Sequence, residues 1–293
     1  MRLEQAIFTS AKSMTGQGYR VVAASPGLPA ADRQAIATSS PSHNSLIDPT
    51  ESAAAMALYP LREGRFCVAR SCHAGREQTA RGGFRVLTQS LVMTHEQLAE
   101  FGCNPFAVLR SLEVAGAMVT DAGQSGSIEA TTVNPTSQPT GATLAAGFED
   151  AGSGGLEFLI DRAMSDGCLI VADGRDPTRM AEAALLALPA ELRSACSLSI
   201  GTKFTLSRRR RLNFAGADTK DIRRVIRGQK IDLVQDVDPS WSRPCEGLSW
   251  SGMVVDCHAT GHLDDLLKLN AMGFDPPSLA AMSGIAALRV KLN

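Results

Sequence analysis

The stretch between Asp121 and Gly155 constrains the fold more than any other part of this chain. Residues 123–155 read GQSGSIEATTVNPTSQPTGATLAAGFEDAGSGG, a run that is rich in Gly, Ser, Thr and Pro, carries few charges and has no sustained hydrophobic period. Segments of this composition form linkers or long loops, and domain boundaries fall in them. We therefore predict two domains, residues 1–145 including the linker and residues 153–293.

The first half has the pattern of an antiparallel sheet with helices to one side. Alternating or β-branched segments are typical of strands, and Thr94 and Pro105 mark the starts of two helices. The predicted order is ββαβββαα, which is an α+β architecture. Strands are predicted at 4–9, 19–24, 55–62, 65–71 and 83–93, and helices at 30–37, 95–101 and 105–115.

The second half has the pattern of a smaller α/β module. Residues 168–172 are wholly apolar, which is typical of a parallel strand buried on both faces. Asp176 and Pro177 then form a strong helix start. Further strands are predicted at 197–204 and 211–217, and helices at 156–164, 177–188, 190–196, 220–227, 262–272 and 278–288. This order indicates a crossover between parallel strands.

Charge and hydropathy exclude several classes of function. The net charge of −1 is not that of a nucleic-acid binder, for which a strongly basic domain is expected. No apolar run reaches the roughly 20 residues that span a bilayer, and the opening MRLEQAIFTSAK lacks an apolar signal core. Seven scattered cysteines in an unexported chain are expected to be reduced thiols. We expect a cytoplasmic protein without a membrane span.

Motifs for nucleotide binding and hydrolysis are missing from the sequence. Neither a phosphate-binding glycine loop nor a nucleophile elbow is present. Ser25 follows a strand, but Pro26 removes a backbone N–H that an oxyanion hole would use, so a turn serine is the better interpretation. The backbone at Gly174 could approach a phosphate at the start of the following helix. The negative charges of Asp173 and Asp176 argue against phosphate binding there. We therefore assign no catalytic or cofactor-binding residue and predict no cofactor.

Two loose groups of cysteine and histidine suggest metal ligands. His258 and His262 are four residues apart beside Cys257, and a helix would place both on one face, although Gly261 weakens that helix. A group of Cys67, Cys72 and His73 lies in the other half. The alternative for the first group is that Cys257 is a buried cysteine at the end of a strand and that a polar turn follows it. We assign no metal ligand, and keep a metal-dependent hydrolase as an alternative function.

The basic run Arg208–Arg211 is the sharpest concentration of charge. It lies between two predicted strands, so a solvated hairpin tip is the first interpretation. Together with Arg223, Arg224, Arg227 and Lys230 it could instead form a basic surface that docks an acidic partner or an anionic surface.

Two segments carry a family resemblance. Gln5–Thr9 together with Gly18–Leu28 resembles the start of the N-terminal domain of bacterial GTPase-associated protein one, a family encoded with GTPases in predicted biological conflict systems. Leu185–Arg193 followed by Ser197–Gly201 is similar to that family's helix-to-strand step. The resemblance would cover most of the chain. It implies association with a GTPase and assigns no individual residue a role.

The order of elements is also similar to the longin-plus-DENN arrangement of eukaryotic GTPase regulators. That resemblance implies a longin-like first domain, a DENN-like second one, and GTPase binding or nucleotide exchange without a catalytic side chain. We expect a non-enzymatic regulator or adaptor that binds a bacterial GTPase in a defence-type conflict system. The alternatives are the metal-dependent hydrolase and a general protein-binding scaffold.

Overall fold

A computed structural model of the chain describes residues 1–13, 16–77, 82–121, 126–136, 139–238, 241 and 249–271. Its strands are β1 (Arg2–Ser13), β2 (Gly16–Ala24), β3 (Ala54–Pro60), β4 (Arg65–Arg76), β5 (Phe84–Thr94), β6 (Gly126–Ser127), β7 (Thr131–Thr132), β8 (Leu169–Ala172), β9 (Leu198–Ile200), β10 (Leu212–Phe214) and β11 (Asp232–Gln235). Its helices are α1 (Ala30–Ser39), α2 (His95–Ala99), α3 (Pro105–Val114), α4 (Gly141–Met164), α5 (Thr178–Leu186), α6 (Ala190–Ala195), α7 (Lys220–Ile226), α8 (Trp250–Ala259) and α9 (Leu263–Ala271), with a 3₁₀ turn η1 at Leu206–Arg208. The helix predicted at 278–288 lies outside the described residues.

The first eight elements follow the predicted order ββαβββαα. Local sequence explains their boundaries. Thr94 caps α2, because its hydroxyl accepts from Gln97 N at 3.2 Å while Gln97 Oε1 accepts from Thr94 N at 2.9 Å. Asn104 caps α3 through its bond from Phe106 N, and Pro105 occupies the first helical position.

The described strands form one mixed sheet in the order β11-β8-β10-β9-β3-β4-β5-β1-β2-β6, with β7 paired to β1. Strands β3, β4, β5, β1 and β2 pair antiparallel, and we call them the antiparallel block. Strands β9, β10, β8 and β11 pair parallel, and we call them the parallel block. The mixed α/β architecture is therefore confirmed. Strand β8 is buried along its whole length, as its apolar sequence predicts.

The two blocks join where β9 pairs antiparallel with β3. Met56 lies opposite Ile200 in this register, and Leu58 opposite Leu198. The carbonyl of Gly201 also accepts from Ile47 N at 3.0 Å, just before β3. The strands of the second half thus extend the sheet of the first half.

Contacts divide the chain into two compact units that interleave along the sequence. One unit comprises residues 1–138, 167–177 and 196–236, and the other comprises 139–166, 178–195 and 237–293. All the described strands lie in the first unit, and the second contains α4, α5, α6, α8 and α9. These units differ from the consecutive domains predicted at 1–145 and 153–293. The reason is the pairing of β9 with β3, which sequence patterns do not reveal.

The prediction of a linker up to Gly155 is wrong for residues 141–155. They form most of α4, a helix of 24 residues that is kinked at Gly152 (φ 71°, ψ 165°). The small residues of this run serve close packing. A Cβ at Gly147 would collide with the Cβ of Ala183 in α5, and one at Gly154 would collide with the backbone of Trp241. The composition that suggests a linker therefore reflects tight helix packing.

Candidate docking groove and arginine cavity

A groove of about 350 Å³ runs between α1 and β2, within the first compact unit. Its volume lies in the usual range for binding clefts. The lining side chains are mostly small or apolar, with two arginines at its walls. They are Arg20, Val21, Val22, Ala23, Ala24, Ala30, Arg33, Gln34, Ala37 and Gly126.

The turn between β2 and α1 holds the groove's walls in place. Ser25 N donates to the carbonyl of Gln5 at 2.8 Å, and Ser25 Oγ accepts from Gln5 N at 3.0 Å. Ser25 is therefore a buried turn serine. On α1, Ile36 is fully buried and Asp32 pairs with Arg65 at 2.9 Å, so the helix is anchored to the sheet beside its exposed Arg33.

Strand β2 presents a backbone edge beside this groove. Strand β6 pairs with it only at Ala23 and Ala24. Over residues 18–22, the outer edge of β2 has no strand partner within the described part of the chain. An uncovered strand edge is a template for pairing with another extended chain. Arg20 and Arg33 add positive charge, and none of the described lining residues is acidic.

A second, smaller cavity lies where α1, β3, β4 and β9 approach the arginine run, also within the first unit. It is largely enclosed, and it leaves room for about one water-sized particle. Hydroxyl groups and two arginines dominate its lining. The lining residues are Ser39, Ser40, Pro41, Met56, Ala57, Ala69, Ser71, Ser199, Thr202, Arg208 and Arg210.

Both arginines of this cavity are half-buried. The guanidinium carbon of Arg210 lies 4.2 Å from the centroid of the Tyr59 ring, within cation–π range. Burial lowers the pKa of Arg210. Burial, followed by the charge of Arg210, lowers the pKa of Arg208. The guanidinium groups of Arg208 and Arg210 therefore repel each other in a partly desolvated environment.

The groups beneath Arg210 do not supply a negative charge at neutral pH. Burial raises the pKa of Tyr59 well above its usual value, and it raises the pKa of Cys67 to about 11. Both side chains are therefore neutral near pH 7. The carboxylate of Asp32 forms its ion pair with Arg65 rather than with Arg210.

The prediction of a solvated hairpin tip at Arg208–Arg211 is wrong. The flanking strands β9 and β10 pair parallel, so the connecting segment is no hairpin. It packs the half-buried Arg208 and Arg210 against the sheet, while the exposed Arg209 donates to the Lys230 carbonyl at 3.2 Å. The other predicted basic side chains are exposed on and after α7: Arg223, Arg224, Arg227 and Lys230.

The acidic turn after β8 is occupied by an arginine of the same turn. Asp173 is buried and accepts from Arg175 through its backbone N at 2.9 Å and through Nε at 3.0 Å. Arg175 Nη2 reaches the second carboxylate oxygen at 2.5 Å. The guanidinium of Arg175 therefore lies against the carboxylate beside Gly174.

The predicted C-terminal metal group does not lie on one helix. Helix α8 contains Cys257 and His258 and ends at Ala259, so His262 does not continue the same helical face. The His258 ring stacks on Phe148 with centroids 3.8 Å apart, and His262 Nδ1 faces Asp265 at 3.2 Å. The interpretation of Cys257 as a strand end is wrong, because the residue is helical.

The N-terminal group also has other contacts. Cys67 and Cys72 are both buried on β4. His73 Nδ1 lies 2.5 Å from the carbonyl of Thr50, and its ring stacks on Phe84. Among the described residues, no set of three or more His, Cys, Asp or Glu side chains is arranged to hold a metal ion.

Comparison with known protein families bears on the first unit. Residues 2–131 match the family described as GTPase-associated protein 1, N-terminal domain type 2. The predicted resemblance is confirmed over this span, which includes every residue that lines the α1–β2 groove. The segments Leu185–Arg193 and Ser197–Gly201 lie outside the match, so their resemblance stays a prediction. No curated protein matches the chain.

Sequence patterns did not point to the groove. Arg20 and Arg33 are separated by the turn that joins β2 to α1, and no motif marks them.

Of the helices that the structure describes, none has both the length and the apolar surface needed to cross a membrane.

Proposed function

We propose that this protein is a non-enzymatic regulator or adaptor that binds a bacterial GTPase in a conflict (defence) system. The match of residues 2–131 to the GTPase-associated protein 1 N-terminal domain carries the proposal. The mechanism we propose is recognition of the GTPase's switch loops, which shifts the populations of their conformations.

The longin-like and DENN-like assignments belong to this proposal. The element order ββαβββαα and the strand order β3-β4-β5-β1-β2 support a longin-like first part. The parallel strands β8 to β11, which are connected through helices and, between β9 and β10, through the 3₁₀ turn η1, support a DENN-like second part. In such an arrangement the protein acts through its surface and needs no reactive side chain.

We place the docking surface at the α1–β2 groove. The outer edge of β2 over residues 18–22 offers main-chain hydrogen bonds to an extended segment, a common mode of peptide recognition. The exposed Arg33 at the wall of the groove favours a segment that carries acidic side chains. The occupant we propose is therefore an extended, acidic loop of the GTPase. The exposed basic side chains of α7 lie outside the family match and form the competing surface.

The direct test is calorimetric titration of the full chain with the GTPase encoded beside its gene, loaded with GDP or with a non-hydrolysable GTP analogue. We expect binding in at least one nucleotide state. The Arg33→Glu variant reverses charge in the groove, so its affinity should be at least about tenfold lower. Arg62→Glu makes the same change at an exposed turn outside the groove and should bind like the wild type.

The outcomes separate the function from the site. Absence of binding in both nucleotide states would overturn GTPase association. Binding that Arg33→Glu leaves intact and Arg224→Glu abolishes would move the docking surface to α7. Equal losses of affinity in Arg33→Glu and Arg62→Glu would show that the net charge of the protein, and not the groove, determines binding.

A further inference from the structure

The arginine cavity contains polar atoms whose hydrogen-bonding capacity is not met. Nε of Arg208, Nε of Arg210 and Oγ of Ser40 are all buried, and none has a hydrogen-bond partner among the described residues. All three residues line the same cavity. Buried polar atoms are nearly always satisfied in folded proteins, so three such atoms around one space are suited to bind a small polar or charged particle.

Charge identifies the occupant more closely. Neither Arg208 nor Arg210 forms an ion pair with a described carboxylate, and the described lining residues include no acidic side chain. The neighbouring Tyr59 and Cys67 are neutral, because burial raises the pKa of each. A partly buried cation without a counter-charge is costly, and two adjacent cations increase that cost. A water molecule would satisfy hydrogen bonds but would leave the charge uncompensated.

We propose that this cavity is an anion site in which Arg208 and Arg210 hold a monatomic anion of the chloride class. The space admits about one water-sized particle, so a single small ion fits it better than a polyatomic anion does. A phosphate or sulfate ion would have to displace the enclosing residues. The hydroxyl of Ser40 can donate a hydrogen bond to the same ion. The site is independent of the GTPase proposal.

Two other hydroxyls that line the cavity already have hydrogen-bond partners. Ser71 is already bonded to Thr88 Oγ1 at 2.8 Å, and Ser199 donates to Asn213 Oδ1 at 3.2 Å. Of the lining hydroxyls, Ser40 Oγ is the one that is buried without a hydrogen-bond partner among the described residues. Ser40 follows the last residue of α1, and Arg208 and Arg210 belong to the segment before β10. The anion would therefore connect α1 to the parallel block.

The first test is thermal unfolding of the full chain in sodium chloride and in sodium gluconate at equal ionic strength. Chloride should raise the wild-type Tm, by about 3 °C for each tenfold increase above its Kd. Arg210→Gln should lose most of this dependence. Arg209→Gln removes the same charge from the neighbouring exposed position, which does not line the cavity, and should retain it.

A second test needs no variant and stays informative if Arg210→Gln fails to fold. Crystals of the wild type soaked in bromide should show an anomalous peak between the guanidinium groups of Arg208 and Arg210. A water molecule there without anomalous signal would overturn the proposal. So would a Tm that is equal in chloride and gluconate, or a chloride dependence that Arg209→Gln loses as fully as Arg210→Gln.

Discussion

The two blocks of the sheet are built in different ways. The antiparallel block consists of strands of 7 to 12 residues, most of which pair with a neighbour in sequence through a short turn. The parallel block consists of strands of three or four residues that helices or long connections separate. Long hairpin strands are specified by their own alternation and turns. Short parallel strands depend on partners that are distant in sequence.

The largest effects are expected at the junction of the blocks. Leu58 of β3 and Leu198 of β9 lie opposite each other and are fully buried, so Leu58→Ala or Leu198→Ala should lower the free energy of unfolding by about 2–5 kcal/mol. Urea unfolding followed by circular dichroism measures the change. The exposed Val114, changed to Ala, is the control and should stay within about 0.5 kcal/mol.

The same pair tests whether the blocks unfold together. If the sheet is one cooperative structure, the double variant should be less destabilised than the sum of the single changes by at least about 0.5 kcal/mol. Additive losses, together with two separate unfolding transitions, would show that the blocks are energetically independent.

A smaller effect is expected at Gly201, which follows β9. Its φ of +77° disfavours any side chain, and a Cβ there would lie 2.7 Å from the carbonyl oxygen of Ala54. Gly201→Ala should therefore cost about 2–4 kcal/mol. Gly64, in the turn between β3 and β4, has a similar φ of +67° with nothing near its Cβ position. Gly64→Ala should cost only about 1–2 kcal/mol. Equal losses in thermal melts would mean that the junction is not tightly packed.

This contrast also explains how much of the fold could be predicted. Alternation, caps and turns suffice for β1 to β5 and for the order ββαβββαα. Nothing local indicates that β9 pairs with β3, because that contact joins segments more than 130 residues apart. The small residues of α4 have the same composition as a linker, and only their contacts distinguish the two. The pairing of Arg210 with Tyr59 was invisible for the same reason.

Raising the pH should lower the free energy of unfolding, with the same sign of effect in both blocks. Burial raises the pKa of Cys67 on β4 to about 11 and that of Cys196, just before β9, to about 12, from an ordinary value of 9.0. The folded state holds these protons more tightly than the unfolded state, so their stabilising contribution is complete below pH 9 and is lost as the pH rises from 9 towards 11 or 12. The urea midpoint should fall over that range.

Cys67→Ala and Cys196→Ala should each flatten this fall, measured relative to each variant's own midpoint at pH 8. A slope that neither buried substitution alters would assign the alkaline loss of stability to other groups.

Docking of the GTPase at the open end of the antiparallel block is tested most directly by hydrogen–deuterium exchange of the full chain with and without the neighbouring GTPase. We predict slower exchange in β2, over residues 18–22, and in α1 around Arg33 when the GTPase is bound. Protection should be weak in Arg33→Glu and normal in Arg62→Glu. Unchanged exchange in β2 and α1, with protection confined to α7, would contradict the account.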